Sequence, residues 1–152
     1  MAHDFKKFPE LTNSKLDFYY FQSPHRQITE DFSAKVIKVH DGDTITLRWS
    51  ERDFDFPLRF KNIDAPELKI NGKRNRKGEE SQKWLEQLIM GQKVDILINP
   101  NSRVDKWGRL LGLVLFRGLD VGELSIMMNK SVAWENRAEI DGIPTLEEVL
   151  AS

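Results

Sequence analysis

The sequence predicts a mainly β domain with helices (α+β), built as a five-stranded barrel of the OB type. Five short runs of strand character are separated by turn-forming residues. A helical stretch falls after the third of them, which is the order expected of such a barrel. The fifth run is apolar on both faces, as suits a central strand.

The elements follow in chain order. Phe32 to His40 (FSAKVIKVH) alternates, with Ala34, Val36 or Ile37 and Val39 available to a core. Asp41-Gly42 is a hairpin signal leading to Thr44–Trp49, where Ile45, Leu47 and Trp49 share a face. After a polar turn, FDFPLRFKNID places Phe54, Phe56, Leu58 and Phe60 on one side and Asp55, Pro57, Arg59 and Lys61 on the other. Pro57 predicts an edge or a bulge. These three runs read as a meander with one buried side.

Leu68 to Gly78 reads as a basic loop, and EESQKWLEQLIMG as a helix with Trp84, Leu85, Leu88 and Ile89 in its apolar stripe and Gly91 as its C-terminal stop. Lys93–Asn99 is the fourth strand and Arg109–Phe116 the fifth. Asp120 caps a second helix with Val121, Leu124 and Met128 facing inward. Thr145, with Glu148 three positions on, signals a short final helix. Residues 32–152 are expected to form the domain. Residues 1–31, which include the aromatic run Phe18, Tyr19, Tyr20 and Phe21, are expected to pack on it as an extension.

Composition bounds the chemistry. One domain is the default for 152 residues, and 39% apolar with 31% charged residues describes an ordinary globular chain. The absence of cysteine excludes disulfides and thiolate metal sites. A net charge of -1 argues against holding a polyanion by bulk electrostatics, so positive charge for such a partner must be local or come from a bound cation. No run is long and apolar enough for a secretory signal or a membrane span, so the expectation is cytoplasmic by default, or secreted if an export signal has been removed.

Four charged positions between Asp41 and Glu67 stand out. Asp43 follows a hairpin turn, Asp64 ends a strand, Glu67 comes three residues later, and Arg59 lies on a strand's polar face. Two carboxylates brought to one spot repel unless a cation or a proton intervenes. All-oxygen donors favour Ca²⁺ or Mg²⁺ over zinc, and His3, His25 and His40 lack ligand spacing. Guanidinium groups match phosphate oxygens, so Arg59 with Arg109 and a divalent cation would suit the charge developed in phosphodiester hydrolysis. Taken singly, DGD is a polar turn and each arginine a solvated strand charge.

The joint pattern is more specific. DGDT, an arginine-bearing strand ending in IDAPE, and DKWGR heading a later strand resemble the staphylococcal nuclease family, in the same order and over roughly Ser33 to Trp134. The resemblance implies an OB-fold barrel with two to three helices and Ca²⁺-dependent hydrolysis of DNA and RNA by metal-assisted attack of water. It implies one Ca²⁺ held by Asp43, Asp64 and the carbonyl of Ala65, with Asp41 as a supporting acid. Arg59 and Arg109 would clamp phosphate and Glu67 would activate water.

Unpaired regions of DNA or RNA are the expected substrate, with a monomer as the working form and no membrane partner. Lys69, Lys73 and Arg74, with Arg76 and Lys77 in the same basic stretch, are candidates for attracting nucleic acid, and Trp107 and Trp134 for bordering the nucleotide. Departures from the family pattern are Ala65 in place of threonine, Trp107 where tyrosine or phenylalanine is common, and a longer turn between the second and third strands. None removes a charged position. The alternatives are a non-catalytic nucleic-acid-binding module on the same scaffold and a Ca²⁺-stabilised interaction domain.

Overall fold

The computed structural model describes Glu10 and residues 27–105 and 109–136. The aromatic run at 18–21, Trp107 and the final helix expected near Thr145 lie outside the described residues.

In chain order the strands are β1 (Phe32–Asp41), β2 (Thr44–Arg48), β3 (Phe56–Phe60), β4 (Ile63–Asp64), β5 (Lys69–Ile70), β6 (Lys73–Arg74), β7 (Lys93–Leu97), β8 (Leu110–Phe116), β9 (Leu119–Asp120) and β10 (Val132–Ala133). Helix α1 (Arg76–Ile89) follows β6, α2 (Val121–Met127) follows β9, and a 3₁₀ turn covers Trp134–Asn136. The expected meander is β1–β2–β3, antiparallel throughout. β7 pairs with β1 and β8 with β7, both antiparallel, and β8 then pairs in parallel with β3. That last pairing closes a five-stranded mixed barrel of OB type, with two helices among the described residues.

The interior is the set of side chains that alternation turns inward. Ile45 and Leu47 from β2, Leu58 and Phe60 from β3, Ile96 from β7 and Val114 from β8 are all essentially inaccessible. Leu85 and Ile89 of α1 join the same cluster, with Trp84 and Leu88 half-buried beside them. Each such side chain contributes roughly 1.5–3 kcal/mol of transfer free energy. β8 is paired on both edges, and its side chains alternate between buried and half-buried, which suits a run without exposed positions.

The choice between Val36 and Ile37 is resolved by a register shift in β1. The pairing jumps between Val36 and Lys38, so Ile37 is the extra residue and both Val36 and Val39 point inward. Pro57 pairs with Thr46, while the pairing to β8 starts only at Leu58. Its missing N–H therefore falls where the second ladder has not begun.

Several boundaries differ from the sequence expectation. β3 begins at Phe56, and Phe54 packs edge-on to it from the preceding turn. The basic stretch is not an open loop: β5 and β6 form a hairpin about the turn Asn71–Gly72, where both residues have positive φ. An Asn-Gly pair is the strongest short signal for that turn, but only two strand residues flank it on each side. α1 starts at Arg76, three residues before the expected Glu79. In α2, Asp120 caps by accepting from the Glu123 N–H at 3.1 Å. Met128, however, lies beyond the helix end and is 51% exposed; Ser125, bonded to the Gly122 carbonyl, takes the inward position.

Candidate functional site

The site is assembled where the hairpin β1–β2, the end of β3, and β4 meet. Asp41 and Asp43 flank Gly42 in the first turn, and the Asp43 N–H donates to Asp41 Oδ1 at 3.0 Å. Gly42 is required by close packing. A Cβ there would lie 1.9 Å from Ser81 Oγ and 2.7 Å from the Ala65 Cβ. The turn is thus pressed against α1 and against the residue after Asp64, which fixes where its acids point.

Register brings Arg59 alongside. Thr44 pairs with Arg59 across β2–β3, and the Phe60 N–H donates to the Asp43 carbonyl at 2.8 Å. The Arg59 guanidinium is buried, with Nη1 donating to the carbonyls of Phe60 (2.7 Å) and Ile63 (2.9 Å). Its Nη2 lies 3.0 Å from Asp64 Oδ1 and 3.2 Å from Asp43 Oδ2. Two carboxylates from separate elements therefore converge on a single nitrogen. Asp43 also accepts from the Thr44 hydroxyl at 3.0 Å and from the Ala65 N–H at 2.9 Å. β4 is held by β10, with Asp64 opposite Val132, and the Trp134 ring lies 5.3 Å from the Arg59 guanidinium carbon. Trp134 is 46% exposed.

Asp41 carries the electrostatic strain of this arrangement. Burial first, then the charge of Asp43, push its carboxyl up to about 7. The site thus holds more negative charge than Arg59 compensates. Among the described residues no three His, Cys, Asp or Glu side chains gather into a closed metal cage. The donors that do converge, the carboxylates of Asp43 and Asp64, are hard oxygen ligands. They fit a cation that completes its shell with water and substrate oxygens.

Glu67 and Arg109 are placed by other contacts. Glu67 is exposed, but its backbone is clamped: Asn75 Nδ2 donates to its carbonyl at 2.8 Å, and the Asn75 N–H donates to the Leu68 carbonyl at 2.8 Å. Gly78 in the first turn of α1 packs so closely that a Cβ would lie 2.1 Å from the Glu67 carbonyl oxygen. Arg109 stands two positions before Leu111, the partner of Arg59 in the parallel β3–β8 pair. Paired residues share a face and alternation returns to it after two positions, so Arg109 and Arg59 lie on the same face of the barrel wall. Asp105 Oδ2 holds Arg109 Nε at 2.7 Å, while Asp105 Oδ1 accepts the Arg109 N–H at 2.9 Å.

The basic candidates divide. Lys69 and Lys73 are exposed on the β5–β6 hairpin with no ion pair among the described residues, as is Lys77 in the first turn of α1. Arg74 is exposed too, but its guanidinium forms a two-point pair with Glu79 at 2.6 and 2.9 Å. Arg76 pairs with Glu80 at 3.1 Å. Sequence reasoning missed Asp105, Asn75 and Thr44 as supports. Asp105 lay in the quoted DKWGR motif, four residues before Arg109. For Asn75 no sequence signal exists, because its role depends on α1 folding back onto Glu67.

Residues 57–149 match the family described as staphylococcal nuclease homologue. A protein of Komagataella phaffii named probable endonuclease LCL3 is 37% identical over 93 residues, covering 57% of this chain and 40% of that protein. A protein of Escherichia coli O157:H7 named uncharacterized endonuclease is 31% identical over 105 residues, covering 68% and 61%. An uncharacterized protein of Bacillus anthracis is 28% identical over 97 residues, covering 62% and 44%. The chain thus spans about two-fifths to three-fifths of the length of these relatives. On the strength of the match over residues 57–149, the chain belongs to the staphylococcal nuclease homologue family.

Proposed function

We propose that this chain is a metal-dependent nuclease that hydrolyses phosphodiester bonds of DNA and RNA by attack of water. The observation that carries the reading is the convergence of Asp43 and Asp64 on Arg59 Nη2, at 3.2 and 3.0 Å. A site that concentrates two carboxylates against one arginine is prepared to exchange cationic partners. Asp43 and Asp64, with the Ala65 carbonyl, would hold Ca²⁺, and the carboxyl of Asp41 supports the turn behind them. When bound there, the ion would supply Lewis-acid polarisation of the phosphoryl oxygen and lower the pKa of a coordinated water.

The chain's own residues supply the rest. Arg59 has a two-state role: it neutralises the acids when no cation is present and turns its forked donors to phosphate when one is. Arg109, aligned by Asp105 just before β8, meets the same phosphate and stabilises the charge that builds up as water attacks. The exposed Glu67 carboxylate accepts the proton of the attacking water. Lys69 and Lys73 add local positive charge to a chain whose net charge is -1, which steers a polyanion towards this edge. The half-exposed Trp134 beside Arg59 offers an aromatic side chain on which an unpaired base can stack, which favours single-stranded substrate.

The test is digestion of single-stranded DNA, double-stranded DNA and RNA with Ca²⁺ and with chelator, beside Glu67→Gln. Turnover that requires Ca²⁺ and falls in the variant supports the proposal. Tight single-strand binding without metal-dependent turnover would replace it by the binding-module reading.

A further inference from the structure

Glu10 is among the described residues, and its side chain is buried. Glu10 is 1% exposed and lies between two arginines from different loops. Its Oε1 pairs with Arg52, in the turn between β2 and β3, and its Oε2 lies 2.9 Å from Arg103 Nη1. The same Oε2 accepts the Ile28 N–H at 2.9 Å. Arg103 is itself 1% exposed and also donates to the Ile28 carbonyl at 2.8 Å and to Gln27 Oε1 at 3.2 Å. Arg52 sits over the Phe56 ring at 4.6 Å and the Phe54 ring at 5.2 Å.

Arg103 is the root of the loop that delivers Arg109. Its carbonyl accepts the Leu111 N–H at 2.8 Å, Val104 bridges to Leu110, and the Asp105 N–H donates to the Arg109 carbonyl at 2.9 Å. Asp105 then holds the Arg109 side chain at 2.7 Å. A continuous ladder therefore runs from Glu10 through Arg103 to the Arg109 guanidinium. A buried carboxylate between buried guanidinium groups is stringent about geometry, because removing it leaves uncompensated charge in a low-dielectric interior.

We infer that Glu10 is a positioning residue for Arg109: its carboxylate anchors Arg103, and the contacts of Arg103, Val104 and Asp105 carry that anchoring to the aim of the phosphate-clamping guanidinium. This deepens the nuclease reading and rests on it for its kinetic consequence. The structural part stands independently of activity. An anchor of this kind makes Glu10 a component of the site's geometry, and it gives the turn between β2 and β3 a purpose, since that turn presents Arg52 to the same carboxylate.

The experiment uses the full chain with Glu10→Gln, and with Val36→Ala as a control that loosens the core away from this ladder. The first readout is the Arg109 Nε–H resonance, assigned by its disappearance in Arg109→Lys, with its exchange rate against solvent. The second is Ca²⁺-dependent cleavage of single-stranded DNA, measured well below each variant's melting temperature. Glu10→Gln is expected to speed Arg109 Nε–H exchange and to lower kcat by about tenfold or more at nearly unchanged KM, since misaiming a clamp is felt mainly in the transition state. Val36→Ala should change neither readout. Unaltered Nε–H exchange in Glu10→Gln, or equal losses in the two variants, would overturn the inference. If Glu10→Gln does not fold, Arg103→Lys takes its place, with the same outcomes deciding. A wild-type chain that shows no turnover but keeps the Nε–H effect would count against the nuclease reading and leave the anchor standing.

Discussion

Replacing Asp41 by asparagine should make the metal-free protein more stable at neutral and mildly alkaline pH. The Asp41 carboxyl is raised from 3.8 to about 7 by burial and by the charge of Asp43. A carboxyl whose folded-state pKa is raised keeps its proton on folding. Its favourable contribution is complete below the unfolded value near 3.8, is lost as pH rises through the folded value, and is gone above about 7. A shift of about three pK units at 1.36 kcal/mol each sets an upper limit of about 4 kcal/mol. Burial is the first cause of the rise and the charge of Asp43 the second, so the share that the substitution recovers is taken as about half, or ~2 kcal/mol. For a chain of this size that is roughly 4–8 °C in melting temperature. Asparagine retains an oxygen for the Asp43 N–H, so the turn geometry survives.

The assay is thermal melting of wild type and Asp41→Asn in chelator, at about pH 8 and about pH 4. The variant should melt higher at the alkaline end, and the two proteins should converge at the acid end. Adding Ca²⁺ at the alkaline end should raise wild type more than the variant, because a cation relieves in wild type the repulsion that the substitution has already removed. Equal melting temperatures at the alkaline end, or the same gain at both ends, would refute the picture of Asp41 as a carboxylate crowded by its neighbours.

The remaining expectations concern placement and chemistry. Gly78→Ala should destabilise by about 1–3 kcal/mol through overpacking and lower kcat/KM, although alanine is the better helix former. Its Cβ would sit 2.1 Å from the Glu67 carbonyl oxygen and displace that backbone; an unchanged or higher melting temperature argues against the clamp. Glu67→Gln should reduce kcat by about 10²–10⁴, the range of general-base catalysis, with Ca²⁺ affinity by calorimetry unchanged. Loss of Ca²⁺ binding instead would move Glu67 into the ligand set. Asp105→Asn should cost about tenfold to a hundredfold in kcat by releasing the aim of Arg109, while Arg109→Lys should cost at least as much because lysine lacks the planar fork. Full activity in both would remove Arg109 from the phosphate clamp.

Most of the barrel was legible in the sequence, because a half-buried strand must alternate and a two-sided one cannot. β2 and β8 were readable for these reasons, and Asp120 was readable because a helix N-cap is a local hydrogen bond. What was not legible depends on residues far apart in the chain. The register shift that leaves Ile37 outside while Val36 and Val39 turn in is set by pairing with β2, not by the composition of β1. The β5–β6 hairpin carries the proper Asn-Gly turn, but its strands of two residues give no period to detect. Met128 had the spacing of an inward residue, yet α2 ends at Met127 and the chain turns away.

The candidate site follows the same division, and that division explains how it is built. Asp43, Arg59, Asp64, Glu67 and Arg109 were picked out by their joint pattern and its resemblance to a known family, since each taken singly reads as a turn or a solvated charge. Their supports were not visible, since Asn75, Asp105 and Glu10 each act on a residue through a contact that exists only once the chain has folded. Asn75 acts through a backbone carbonyl, and Asp105 uses a side chain and a backbone N–H at once. Glu10 reaches Arg103 across 93 positions. Reacting groups need a specific functional chemistry and so few residue types serve. A support needs only a donor or acceptor at the right place, which many residue types satisfy. Sequence therefore reports candidate reacting groups by their identity, and the fold reports their supports by position. Substitutions at the supports should accordingly shift rates by smaller factors than substitutions at the charges they hold, with the loss at Asp105 bounded above by the loss at Arg109.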